Sequence, residues 1–151
     1  MIFLALILLL TACGPVLIVK DPLSAEESFQ LGYIYHLESN HKSAIYHYKR
    51  SIKKNPKHWQ AYYNLGTLYA TLGDFESAKK ALNRALELND SPSIRNNLAY
   101  THLMLGDICE ALWHFQMGNI QNQELFRALK QHEELCLHWK SWERTDSRGA
   151  F

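Results

Sequence analysis

Gly32 and Gly66 stand 34 residues apart, and each sits in the same short string: Leu31-Gly32-Tyr33-Ile34-Tyr35 and Leu65-Gly66-Thr67-Leu68-Tyr69. Leu98-Ala99-Tyr100 repeats the core of that string 33 residues after the second. Twelve residues beyond each small residue comes an alanine, at 44, 78 and 111. Four further on stands a bulky side chain (Tyr48, Leu82, Phe115), and three beyond that a small one (Ser51, Ala85, Gly118). A unit of this length recurring three times means one supersecondary element stacked on copies of itself, since no single copy can bury its own apolar face. The small residues let two helices approach closely, and the bulky ones fill the space that remains. Helices are expected over 25–38, 42–54, 59–72, 75–88, 93–105 and 108–118, and with only four prolines the chain reads as all-α.

The pattern resembles the tetratricopeptide repeat, best over Ala61 to Leu88 and in outline from Ala25 to Gln123. The resemblance implies a solenoid of three helix-turn-helix units, about 25–58, 59–91 and 92–123. Pro56 closes the first unit and Pro92 marks the junction after the second. Leu72-Gly73-Asp74 and Leu105-Gly106-Asp107 read as turns between paired helices, with glycine ending one helix and aspartate capping the next. Ser28 and Arg95 fall where the family carries a large apolar residue, and His102 where it prefers tyrosine. A seventh helix is expected over 121–142, with Leu125, Leu129, Cys136 and Trp139 on one face. It would cap the last open core, as solenoids require. Residues 143–151 read as a tail.

Met1 to Leu10 is wholly apolar, and Leu10-Thr11-Ala12-Cys13 follows. The tetrapeptide resembles a bacterial lipobox. That resemblance implies a signal peptide over 1–12, a diacylglycerol on Cys13 and a tether over 13–24. Gly14 after the cysteine favours, by the same analogy, the outer membrane facing the periplasm. A second reading stays open: Met1 to Val19 is a run of 19 residues without a charge, about long enough to cross a bilayer uncleaved.

In the repeat family the first helix of each unit lines a concave groove that takes an extended peptide or a partner helix. By that resemblance the groove holds Phe29, Tyr33 and Leu37 from the first unit, Tyr63 and Thr67 from the second, and Asn96, Tyr100 and Met104 from the third. Gln30, Asn64 and Asn97 share one place in successive units. Side-chain amides both donate and accept, so such a ladder can grip a peptide backbone or stabilise the repeats themselves. Some members clamp the terminal carboxylate of chaperone peptides with two lysines, an arginine and two asparagines. Those places hold Phe29, Tyr33, Asn64, Ser93 and Asn97 here. No cation is available to pair the carboxylate, so that specificity is not expected.

Sixteen Lys and Arg against fifteen Asp and Glu give a net charge of +1, with no overall basic excess of the kind that marks a nucleic-acid binder. Cys109 and Cys136 fall on helices expected to run antiparallel, which allows a disulfide or two buried thiols. His132, Cys136 and His138 are the nearest approach to a metal cluster, but His138 leaves the shared face, and closed zinc sites take four ligands. No metal or cofactor is expected. No nucleophile elbow, phosphate loop or HExxH stretch occurs. Two functions remain: a lipid-anchored binding scaffold assisting an envelope assembly, similar in signal and repeats to the lipoproteins of type IV pilus biogenesis, or a structural subunit of such an assembly without a peptide ligand.

Overall fold

The computed structural model describes residues 22–118 together with Arg127, Lys130, His132 and Cys136. The signal and tether region up to residue 21, most of the expected 121–142 helix and the 143–151 tail lie outside the described residues. Six helices follow one another: α1 (Ala25–Leu37), α2 (His41–Lys54), α3 (Trp59–Thr71), α4 (Phe75–Leu88), α5 (Pro92–Leu105) and α6 (Ile108–Met117). Each lies within one residue of its expected span. They pair as α1 with α2, α3 with α4 and α5 with α6. Each pair packs on the next, and α3 also touches both α1 and α5. This is the all-α tetratricopeptide-repeat solenoid.

The helix starts are written in side chains. Ser24 caps α1 with a reciprocal box: its hydroxyl accepts from Glu27 N at 3.1 Å, and its own N donates to Glu27 Oε2 at 2.6 Å. Asn40, Asp74 and Ser91 accept from the amides of Ser43, Ser77 and Ile94. Asp107 departs from the expectation. It stands at the N-cap of α6 but makes no side-chain cap, because its carboxylate reaches His102 Nδ1 at 3.2 Å and Lys79 Nζ at 3.7 Å. The turns after α3 and α5 use Gly73 (φ 80°) and Gly106 (φ 84°) in the left-handed region. The equivalent turn after α1 places Ser39 there, at φ 58°.

Within each pair the small-to-large rule is met by contact. The Gly32 α-carbon lies under the Tyr48 ring, and Gly66 under Leu82, with no room for a methyl group between them. The third pair closes with Ala99 against Ala111, Leu112 and Phe115, and Cys136 packs on the same cluster. Cys136 is bonded to Cys109 of α6 (S–S 2.06 Å, Cα–Cα 5.2 Å).

The two departures from the family's large apolar residue are compensated differently. Ser28 has no exposed surface, and its hydroxyl donates to Ser24 O at 2.8 Å within the helix. Arg95 is 7% exposed. It forks onto Asp90, Nε to Oδ1 at 2.7 Å and NH2 to Oδ2 at 2.5 Å, and lays its guanidinium 5.0 Å from the Trp113 ring centre. A planar cation stacked on one ring and paired with one carboxylate fills the volume an aromatic would occupy. His102, in the tyrosine place, stacks on His114 with ring centres 5.4 Å apart.

A candidate peptide groove on the first helices of the repeats

α1, α3 and α5 lie side by side, and the residues assigned to the groove divide into two groups. Tyr33, Leu37, Tyr100 and Met104 present large apolar surface, at 45%, 69%, 47% and 49% exposure. Asn96 is also exposed. Tyr100 is steadied by Phe75, whose ring meets it edge-on at 6.3 Å.

The second group is half-buried and helps to hold the repeats together. Phe29 packs on the first core cluster, 4.9 Å from the His58 ring and 6.0 Å from that of Tyr48. Tyr63 packs on the second cluster. Thr67 donates to Tyr63 O at 2.9 Å along its own helix. The exposed wall of the groove is therefore built mainly by α1 and α5, while α3 supplies a closer-packed floor.

The three amides of the ladder behave differently. Gln30 Nε2 is engaged by Glu26 Oε1 at 2.7 Å, one turn back. Asn97 Nδ2 reaches across from α5 to Thr67 Oγ1 on α3 at 2.8 Å, joining two neighbouring first helices. Asn64 is half-buried on the same helix as Thr67. One amide thus serves its own helix and one serves the solenoid, while no side-chain hydrogen bond of Asn64 is seen among the described residues.

His36 is half-buried. Its Nδ1 lies 3.3 Å from the Tyr48 hydroxyl. Burial, then the nearby His41, holds its pKa below the ordinary histidine value. Burial, then Tyr33, pushes the Tyr48 phenol up to about 12. Position 36 thus faces the packed interior of the first repeat.

Sequence reasoning missed one constellation. Ser51 Oγ lies 2.8 Å from His58 Nδ1, and His58 Nε2 lies 3.5 Å from Glu26 Oε2. The order of groups matches a nucleophile, base and acid relay. Ser51, however, has no exposed surface and His58 only 7%, so no substrate can meet the hydroxyl. The three side chains instead tie the end of α2 and the junction before α3 to the start of α1. Ser51 replaces a small apolar residue of the pattern, and that substitution was the available signal. Among the described residues no group of three metal-ligating side chains converges, and no helix is long and apolar enough to cross a membrane.

Comparison with known proteins agrees with the fold. The tetratricopeptide-repeat family model matches residues 59–92, and a second model of the same repeat matches residues 32–73. The chain is built of tetratricopeptide repeats through that stretch. It is 33% identical over 114 residues to the BBSome complex member BBS4 of Mus musculus, across 74% of this chain but only 22% of that protein. The chain thus spans under a quarter of that relative's length. Among solved structures, the first TPR domain of Spaghetti (RPAP3) bound to the HSP90 peptide SRMEEVD superposes with a TM-score of 0.67 at 19% identity, covering 76% of this chain and 96% of that one. The crystal structure of MamA superposes with a TM-score of 0.63 at 24% identity, covering 65% and 58%. At these identities the two structures report the fold.

Proposed function

We propose that the chain is a protein-interaction scaffold whose concave face takes an extended, uncharged or apolar peptide, or a partner helix. The observation that carries this reading is the exposed apolar surface of Tyr33, Leu37, Tyr100 and Met104 on the first helices of the repeats. Rigid aromatics with a polar tip are the side chains that most often anchor interfaces. The Spaghetti domain of the same fold is bound to SRMEEVD in its solved structure, a peptide with three acidic side chains. This groove offers no cation at the family's clamp places, so its ligand differs in charge. No residue of the described chain is set out to do chemistry, and the reading is non-enzymatic.

The scaffold is further read as membrane-anchored. The Leu10-Thr11-Ala12-Cys13 string supports a lipid on Cys13 and a place in a bacterial envelope, on the periplasmic side of the outer membrane. A pilus-type assembly is the kind of machine such a scaffold would assist. The helix containing Cys136 is read as the cap of the third repeat. Fatty-acid labelling of the wild type against Cys13→Ser tests the anchor. Label on both or on neither removes the lipobox reading.

The groove is tested by placing a photo-crosslinking amino acid at Tyr100 or at Asn83, an exposed position on α4. Adducts from Tyr100 alone, lost when Tyr33 and Met104 become alanine in a folded protein, support a peptide groove. Equal adducts from both positions refute it. The second reading, a structural subunit without a peptide ligand, is favoured by the half-buried Phe29 and Tyr63. It predicts that alanine at Tyr33, Tyr63 and Tyr100 together unfolds the chain.

A further inference from the structure

α2 carries Lys42, Lys49, Arg50, Lys53 and Lys54 and no carboxylate. On a chain of net charge +1 this one helix holds +5, which leaves −4 (+1 less +5) for everything else. The cations are also sorted by face. Ala44, Tyr48 and Ser51 turn inward, while Lys42, Tyr46, Lys49, Arg50 and Lys53 recur at helical spacing on the other side. Tyr46 is 61% exposed in their midst, and exposed Lys57 follows the helix. Tyr46, Lys49, Arg50, Lys53 and Lys54 line a depression of about 520 Å³. A second, of about 330 Å³, shares Lys49 and adds Lys80. Helix stability explains only part of this. Lys53 and Lys54 suit the negative end of the helix dipole, but Lys42 sits in the first turn, where a cation is unfavourable and acids are preferred.

The position of this face in the chain identifies its counterpart. Lys54 Nζ donates to the carbonyl of Leu23, so the end of α2 is held beside the residue from which the N-terminal segment departs. In the anchor reading the lipid sits on Cys13, ten residues from Leu23. That span is at most about 35 Å when fully extended. The layer that takes up the lipid therefore lies within that reach of the basic face.

We infer that the outer face of α2 docks on the anionic headgroups of the bilayer that holds the lipid on Cys13. The inference rests on the membrane-anchor reading above. Clusters of four to eight basic residues next to a membrane anchor bind anionic lipid, and an exposed tyrosine among them suits the headgroup level. Docking through α2 would leave the groove on α1, α3 and α5 turned away from the lipid.

The test uses the full chain and two kinds of vesicle, one of phosphatidylcholine alone and one with about a third phosphatidylglycerol. The comparison variant replaces Lys42, Lys49, Lys53 and Lys57 with glutamine, with helicity checked by circular dichroism. The wild type should bind the phosphatidylglycerol vesicles at least about tenfold more tightly at about 0.1 M salt, and the preference should collapse at about 0.5 M. The variant should lose the preference and keep its affinity for phosphatidylcholine. Equal wild-type affinity for both vesicles overturns the inference, and so does binding to soluble polyglutamate without a lipid preference, which would assign the face to an acidic polypeptide. Loss of phosphatidylcholine binding with the preference intact overturns the anchor and leaves the docking face standing.

Discussion

A methyl group added to Gly66 would sit 2.6 Å from Cγ of Leu82 and 3.1 Å from its backbone N. Helix propensity alone favours alanine over glycine here by about 1 kcal/mol. Overpacking a closed contact costs about 1–3 kcal/mol, and a backbone atom cannot swing aside. Gly66→Ala is therefore expected to destabilise the chain by up to about 2 kcal/mol despite its better propensity. Gly32→Ala, which meets the Tyr48 ring at 2.7 Å, should behave alike. Urea unfolding of both variants measures this, and a gain in stability for either would show that the helices can move apart.

Asn97 and Asn64 occupy the same place in successive repeats but should separate on mutation. Asn97→Ala breaks the 2.8 Å bond to Thr67 and should lower stability by about 0.5–1.5 kcal/mol. Asn64→Ala should leave the unfolding midpoint nearly unchanged and reduce crosslinking from Tyr100. The same pair of assays, urea midpoint and adduct yield, reads both effects.

Much of this architecture is legible in the sequence, because small and large residues at fixed spacing specify which helix faces touch. The spacing does not report what crosses from one repeat to the next. Phe29 and Tyr63 read as groove residues by position, yet they also pack on core clusters. Arg95 reads as a defect until Asp90, five residues before it, and Trp113, 18 residues after it, prove to complete it. The α2 face is hidden for a different reason: a net charge of +1 averages a +5 helix with an acidic remainder.

The bond between Cys109 and Cys136 closes a loop with a sequence separation of 27. Loop-closure entropy for that span corresponds to about 3–4 kcal/mol. Adding a reductant, or replacing both cysteines with serine, should lower the thermal midpoint, with the largest loss of amide protection in α6. An unchanged midpoint would mean that this closure contributes nothing to the fold.

Two titrations in the first repeat act at opposite ends of the pH scale. Because burial lowers the pKa of His36, the unfolded chain binds more protons just below pH 6.5. Stability from this group should therefore fall as pH drops through that window, and His36→Asn should flatten the slope. Tyr48 is raised to about 12, so its contribution is complete below about pH 10 and is lost as pH rises towards its folded value. Thermal midpoints across pH, with Tyr48→Phe as the alkaline control, give the two signs.

The covalent tie at Cys136 makes the two ends of the stack unlike. Ile34 and Leu37 of α1 are 48% and 69% exposed, whereas the last cluster is closed by a residue bonded to α6. In a linear array where each unit leans only on its neighbours, fraying starts from the less secured end. The solenoid should unzip from α1 and α2 towards α6, so the basic helix and its end of the groove breathe first while α5 still holds Tyr100 and Met104 in place.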